Sequence, residues 1–138
     1  PLHELSRQKV INLTMAKSQR ETFWHPPQIK WGNYTQADWE LASLKGQLFN
    51  EVVFLNHRGL VCEASSSNIF FVKDGIIHTP QKNGCFLEGI TRQELWNFLK
   101  TRDFEIKEGD YRLQDLTTAD EIWLSNSIQG LERVSPFL

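Results

Sequence analysis

The stretch "NEVVFLNHRGLVCEASSSNIFFVKDGIIHTP", Asn50 to Pro80, decides the fold. Its apolar residues come in short runs rich in Val, Ile and Phe, bounded by polar breaks, which is the pattern of extended chain. His57-Arg58-Gly59 and Lys73-Asp74-Gly75 interrupt the runs as hairpin-type connections. Asp-Gly is the stronger of the two, because both residues tolerate the positive φ that a tight hairpin demands. Three or four short strands joined by tight turns are expected here.

Outward from this stretch the elements alternate. Upstream, Ile11, Leu13 and Met15 alternate with Asn12 and Thr14, so Lys9 to Met15 reads as a half-buried strand. In "SQRETFWHPPQIK", Pro26-Pro27 forces an extended path into Lys30. A helix is expected from Asn33, which can cap with Gln36 three residues on. Tyr34, Ala37, Leu41 and Leu44 mark its inner face, and Gly46 ends it.

Downstream, "QKNGCFLEG" reads as a loop feeding the helix in "EGITRQELWNFLK", Glu88 to Lys100. Thr91 and Glu94 have capping-box spacing, and Leu95, Phe98 and Leu99 repeat at helical spacing on an inner face. Such a helix start is an ordinary cap or a place to hold an anion, since free N–H groups and the positive end of the macrodipole coincide there. "FEIKEGD" reads as a strand, "RLQDLTTADE" as a short helix or turn, and "EIWLSNS" as a last buried strand. The sum is a mixed α/β domain with mainly antiparallel hairpins. No Rossmann or P-loop fingerprint is present.

The bulk composition fits one soluble domain. The chain has 138 residues, 40% hydrophobic and 23% charged, with five Trp and nine Phe. Fifteen basic and 17 acidic residues are well mixed and leave a net charge of −2, so no basic stripe points to nucleic acid or an anionic membrane. No apolar run is long enough to cross a bilayer. Cys62 and Cys85 lack metal spacing and read as free thiols, which sets the expectation of a cytoplasmic protein. His25, beside Pro26, and His78, on a hairpin strand, belong to no metal-site spacing, so no metal is expected.

Four features could meet in one cleft: Lys30 before a helix, Glu63 at a strand end before Ser65-Ser66-Ser67, Ile90-Thr91 at a helix start, and Asn126-Ser127 past a buried strand. A lysine amine, a carboxylate and two sets of N–H and O–H donors suit pyridoxal 5'-phosphate (PLP). Spacing alone does not assemble them.

The ordered blocks do. E-x-S-x-S-N-x-F, D-G-x-x-x-T-P and G-I-T-R occur in register within "CEASSSNIFFVKDGIIHTPQKNGCFLEGITR", with "IKWGNY" before and "ADEIWLSNS" after them. From about Lys9 to Val134 the chain resembles the class IV (fold type IV) PLP-dependent aminotransferase family. That family includes branched-chain aminotransferase, D-amino acid aminotransferase and 4-amino-4-deoxychorismate lyase.

The resemblance implies a pseudo-barrel of mainly antiparallel strands with flanking helices. It makes Lys30 the Schiff-base lysine and proton shuttle, and Glu63 the partner of the coenzyme's ring nitrogen. Ile90 and Thr91 would bind phosphate, and Ser127, with the amide beside Asn126, would complete that cup. Leu87 would pack on the ring, Ser65 to Ser67 would line the site behind it, and Tyr34 would reach the ring oxygen.

It further implies that residues 1–138 are the larger, C-terminal PLP-binding domain, without the family's small N-terminal domain. The missing domain would supply an arginine to the phosphate, so weaker coenzyme binding and little turnover are expected of this chain. A homodimer and an amino-acid-like substrate are expected as well. "GCFLEGITR" and the "SNS" after the strand look closest to aminodeoxychorismate lyases, which expel pyruvate and make 4-aminobenzoate for folate synthesis. Branched-chain aminotransferases more often show Gly-Thr at Asn126-Ser127. A branched-chain or D-amino acid aminotransferase is the alternative, and an inactive PLP-fold module is the alternative of another class.

Overall fold

Along the chain run the strands β1 (Leu13–Met15), β2 (Glu51–Leu55), β3 (Val61–Ala64), β4 (Asn68–Lys73), β5 (Ile76–Pro80), β6 (Ile106–Gly109), β7 (Glu121–Asn126) and β8 (Gly130–Arg133). Helix α1 (Thr35–Ser43) lies between β1 and β2, α2 (Ile90–Thr101) between β5 and β6, and α3 (Leu113–Thr117) between β6 and β7. These come from a computed structural model that describes residues 10–20, 27, 29, 30, 32, 34–82 and 85–135.

The strands form two sheets, β1-β2-β3 and β6-β5-β4-β7-β8. Single bridges sew their edges together on both sides. Ile11, just before β1, pairs with Val134 beyond β8, and Leu60, just before β3, pairs with Arg112 beyond β6. Backbone bonds from Ser135 to Ile11 (2.7 Å) and from Val61 to Tyr111 (2.8 Å) hold these seams. The two sheets thereby close into the pseudo-barrel. Pairing is antiparallel except for β1 with β2 and β5 with β6, which are parallel.

Inside the barrel, Leu13, Val53, Val61, Ile69, Phe71, Ile122 and Leu124 form one apolar cluster, with Leu116 of α3 packed among them. The neighbours of Val53 face the other way: Val52 and Phe54 pack with Ala37 and Leu44 under α1. β2 is therefore apolar on both faces, which explains its unbroken Val-Val-Phe run. The β4–β5 turn is the one expected: Asp74 (φ 52°) and Gly75 (φ 77°) both take positive φ, as a two-residue hairpin of matching twist needs.

Four expectations change. First, β7 is not the last strand: the chain turns at Asn126 and returns as β8, paired with it. β8 escapes notice because Gly-Leu-Glu-Arg is an edge strand whose charges face solvent and whose alternation is weak. Second, Thr91 does not cap α2. Gly89, in extended conformation (φ −68°, ψ 142°), is the N-cap, and no side chain caps the helix. Third, Phe98 is 53% exposed, and the fully buried side chain of α2 is Arg92. Fourth, Tyr34 is the N-cap of α1 and lies exposed, off the inner face. The expected Asn33 cap, like His25, lies outside the described residues.

Candidate active site

The end of β3 places a carboxylate at the bottom of a cleft. Glu63 is only 8% exposed, and its Oε2 accepts the Leu87 N–H at 3.1 Å. Its Oε1 meets Arg20 Nε at 3.0 Å, an ion pair whose N–H is off-line for a hydrogen bond. Burial pushes the Glu63 carboxyl up to about 7, while the Arg20 charge and the Leu87 amide pull it back.

Arg20 is itself held in place. Its guanidinium lies 3.9 Å over the Phe54 ring, and Nη1 donates to Gln36 Oε1 at 2.8 Å. Gln36 Nε2 in turn donates to Gln19 O (2.8 Å) and Ser18 Oγ (3.0 Å), so α1 grips the segment that delivers Arg20. One turn along α1, the buried Glu40 carboxylate accepts the N–H of Lys17 and both the N–H and the hydroxyl of Ser18.

A second wall is the start of α2. Asn68 at the head of β4 donates to Leu87 O (2.7 Å) and accepts from Gly89 N (3.2 Å). A Cβ on Gly89 would stand 2.5 Å from Asn68 Oδ1, so only glycine lets the loop come this close. This clamp starts the helix two residues before the Thr-x-x-Glu pattern suggests. With no side-chain cap, the first-turn amides, Ile90 and Thr91 among them, are left for an external acceptor.

The third wall comes from the β7–β8 turn. Asn126 Oδ1 accepts the N–H of Ile128 (2.9 Å) and Gln129 (2.7 Å), and Nδ2 donates to Ser67 Oγ (2.9 Å). The Asn126 side chain is thus spent on its own turn and on the serine wall. Ser65 is likewise engaged, its N–H and Oγ both donating to Glu51. Ser66 stays exposed, as do Lys30 and Tyr34 on the facing side.

The cleft enclosed by these walls has a volume of about 770 Å³. Lys30, Glu63, Leu87, Ile90, Thr91, Asn126 and Ser127 all line it, as do Tyr34 and Ser65 to Ser67. An amine, a buried carboxylate, an apolar side chain and an uncapped helix start thus face one space. A family model described as amino-transferase class IV matches residues 1–137. The chain belongs to the class IV aminotransferase family.

Among class IV proteins, an aminodeoxychorismate lyase of Vibrio harveyi is 33% identical over 94 residues, 68% of this chain and 35% of that protein. A mitochondrial branched-chain amino acid aminotransferase 1 of Humulus lupulus is 32% identical over 105 residues, 75% of this chain and 27% of that protein. The crystal structure of an aminotransferase from Brucella abortus bound to the co-factor PLP superposes with a TM-score of 0.87 at 27% identity, covering 94% of this chain and 47% of that one. The chain spans roughly a third or less of these curated relatives and just under half of the solved one.

Sequence reasoning missed four residues of this class IV cleft: Arg20, Asn68, Gly89 and Ser125. Arg20 lies in a stretch with no motif, and only the fold carries it to Glu63. Asn68 and Gly89 stand inside quoted blocks, where their fixed spacing to Glu63 and Thr91 was a usable signal. Ser125 is 1% exposed on the cleft wall, and its Oγ has no hydrogen-bond partner.

Proposed function

We propose that this chain is the larger, coenzyme-binding domain of a PLP-dependent class IV enzyme, and that its reaction is that of an aminodeoxychorismate lyase. The observation that carries the PLP reading is the single cleft in which Lys30, Glu63 and the uncapped start of α2 face one another. The donor set fits the group: an amine for its aldehyde carbon, a carboxylate for its ring nitrogen, and helix amides for its phosphate.

Bound PLP supplies an electron sink for the bonds broken at an amino acid's Cα. Lys30 would bond the coenzyme and, once freed, carry a proton to or from that Cα. Glu63, ionised beside a cationic ring nitrogen, would hold the ring proton in place, with Arg20 fixing the carboxylate's orientation. Leu87, Ile90, Thr91 and Ser127 line the cleft, where Leu87 would pack on the coenzyme and the amides of Ile90 and Thr91 with the Ser127 hydroxyl would hold its phosphate. Asn126 contributes by shaping the turn that presents Ser127.

The lyase reading rests on "GCFLEGITR" and on Asn126-Ser127 standing where Gly-Thr marks many branched-chain enzymes. The Vibrio harveyi relative supports it. The alternative is a branched-chain or D-amino acid aminotransferase, and the Humulus lupulus relative supports its branched-chain form. A homodimer in the cytoplasm acting on an amino-acid-like substrate belongs to the same proposal.

The test is an absorption spectrum with PLP before and after borohydride, followed by peptide mapping. A near-visible band and a pyridoxyl group fixed on Lys30 are the outcome the proposal requires, and a label elsewhere or none sinks it. Pyruvate release then separates the lyase from amino transfer to a keto acid. Labelled Lys30 with neither turnover in the full-length protein would instead favour the inactive module.

A further inference from the structure

Among the described residues, three buried side-chain polar atoms lack a hydrogen-bond partner: Nε of Arg20, Nε of Arg92 and Oγ of Ser125. The two arginine atoms belong to guanidinium groups engaged through their other nitrogens. Ser125 is different, because its hydroxyl is its only side-chain polar group. It is 1% exposed, so bulk water does not serve it either.

Its position says what could. Ser125 pairs with Asn68 across the β4–β7 ladder, and directly opposed residues point to the same face of a sheet. Asn68 on that face grips Leu87 and Gly89, immediately beneath the start of α2. The barrel core takes the alternate residues, Ile69 with Leu124 among them. Ser125 therefore lies on the side of the sheet that carries the helix start, and it lines the cleft with Ile90, Thr91 and Ser127.

A buried hydroxyl left unpaired costs the fold its lost hydration, where alanine would cost nothing comparable. The helix amides and macrodipole at the same place favour a negatively charged acceptor. We infer that Ser125 Oγ donates a hydrogen bond to the phosphate of the bound ligand, from the floor of the cup that α2 roofs. This rests on the PLP reading and adds to it a donor that comes from the strand itself.

Ser125→Ala tests it against PLP and pyridoxal, which differ only in the phosphate. The expected result is a PLP dissociation constant raised about tenfold, the worth of one charge-assisted hydrogen bond, with pyridoxal affinity unchanged. The urea midpoint without ligand should stay level or rise, since an unpaired buried group is removed. Equal PLP affinity in the two proteins overturns the inference while leaving the PLP reading intact. Parallel loss of PLP and pyridoxal, or a fall in the unliganded midpoint, also overturns it, because either reveals a structural hydroxyl. Should the wild-type protein take up no PLP at all, the PLP reading fails first. Titration with inorganic phosphate followed by phosphorus NMR then decides: binding lost in Ser125→Ala supports the donor, and equal or absent binding overturns it.

Discussion

Arg20 and Glu63 meet at 3.0 Å with side chains 15% and 11% exposed, the one ion pair among the described residues in which both partners are largely buried. The other Glu63 oxygen accepts the Leu87 amide, and Leu87 is held by Asn68, which also holds Gly89 at the start of α2. One chain of hydrogen bonds thus runs from a carboxylate at one end of the cleft to uncapped helix amides at the other. The span between the two is set by backbone, and a ligand with a cationic ring nitrogen and a phosphate needs that span constant.

The Glu63 carboxyl gives the first prediction, because burial raises it from 4.5 to about 7 against the pull of Arg20. Between those values the folded protein keeps a proton that the unfolded chain has released, so stability falls as pH rises through the window. Below about 4.5 both states are protonated and the contribution is fully present; above about 7 it is gone. Glu63→Gln should remove this slope. Urea midpoints of both proteins at pH 5, 6, 7 and 8 check it, and a difference between them that ignores pH would count against the buried carboxylate.

How much of this was legible depends on what kind of signal each residue leaves. The four-strand stretch from Glu51 to Pro80 was readable because local turn chemistry at Gly59 and Asp74-Gly75 agrees with the apolar runs. β8 was not, since an edge strand needs no apolar alternation and gains its order from pairing with β7. Lys30, Glu63 and Thr91 were named from ordered blocks, and the cleft gathers them. Arg20 could not be named that way: 43 residues separate it from Glu63, and only the α1 clamp and the β1–β2–β3 sheet bring the two together. The Thr91 cap failed for a tertiary reason, the Asn68 clamp on Gly89, which no local pattern contains.

Lys30 is exposed in the cleft and carries no described hydrogen bond or ion pair. Lys30→Ala should therefore leave the urea midpoint within about 0.5 kcal/mol of wild type. The same change should abolish borohydride fixation of a pyridoxyl group and lower any turnover by at least about 10²- to 10⁴-fold. Retention of the label at another lysine is the outcome that would displace Lys30 from its role.

Gly89→Ala puts a Cβ 2.5 Å from Asn68 Oδ1, so either the clamp or the helix start must shift. A cost of about 1–3 kcal/mol is expected, with weaker PLP binding because the first-turn amides move with the backbone. Asn68→Ala relieves the clash and removes the clamp, so the two changes should be strongly non-additive in a double-mutant cycle. Additive losses would mean that Gly89 is not held by Asn68.

Arg92 is 4% exposed and donates from Nη2 to Pro80 O (2.9 Å) and Glu108 (2.7 Å), tying the first turn of α2 to β5 and β6. Arg92→Met keeps an apolar stem of similar length and removes the ties, together with the guanidinium that lies 5.1 Å from the Phe86 ring centre. Glu108 is 30% exposed and stays partly hydrated when its partner goes, which limits the loss to about 1–3 kcal/mol. Urea denaturation measures it, and a change below about 0.5 kcal/mol would make these ties energetically idle.

Glu40 carries the opposite pH sign to Glu63 within the same network. Burial lifts its carboxyl, but the Ser18 hydroxyl and the Lys17 and Ser18 amides outweigh that, so it lies below its usual value. Its contribution is present above the unfolded carboxylate value of 4.5 and is lost as pH falls through the depressed one. Glu40→Gln should cost about 1.5–3 kcal/mol at neutral pH, since an amide must turn one of its N–H₂ donors toward groups that themselves donate. The consequence reaches the cleft. The Ser18 to Arg20 segment loses one of its two ties to α1, leaving Gln36, the Phe54 ring and the Arg20 N–H bond to Leu55 O to hold Arg20 on Glu63. Glu63 in Glu40→Gln should then titrate higher than in wild type, by carboxylate infrared or carbon NMR. An unchanged Glu63 titration in a destabilised Glu40→Gln would show that Phe54 and Gln36 suffice to place Arg20.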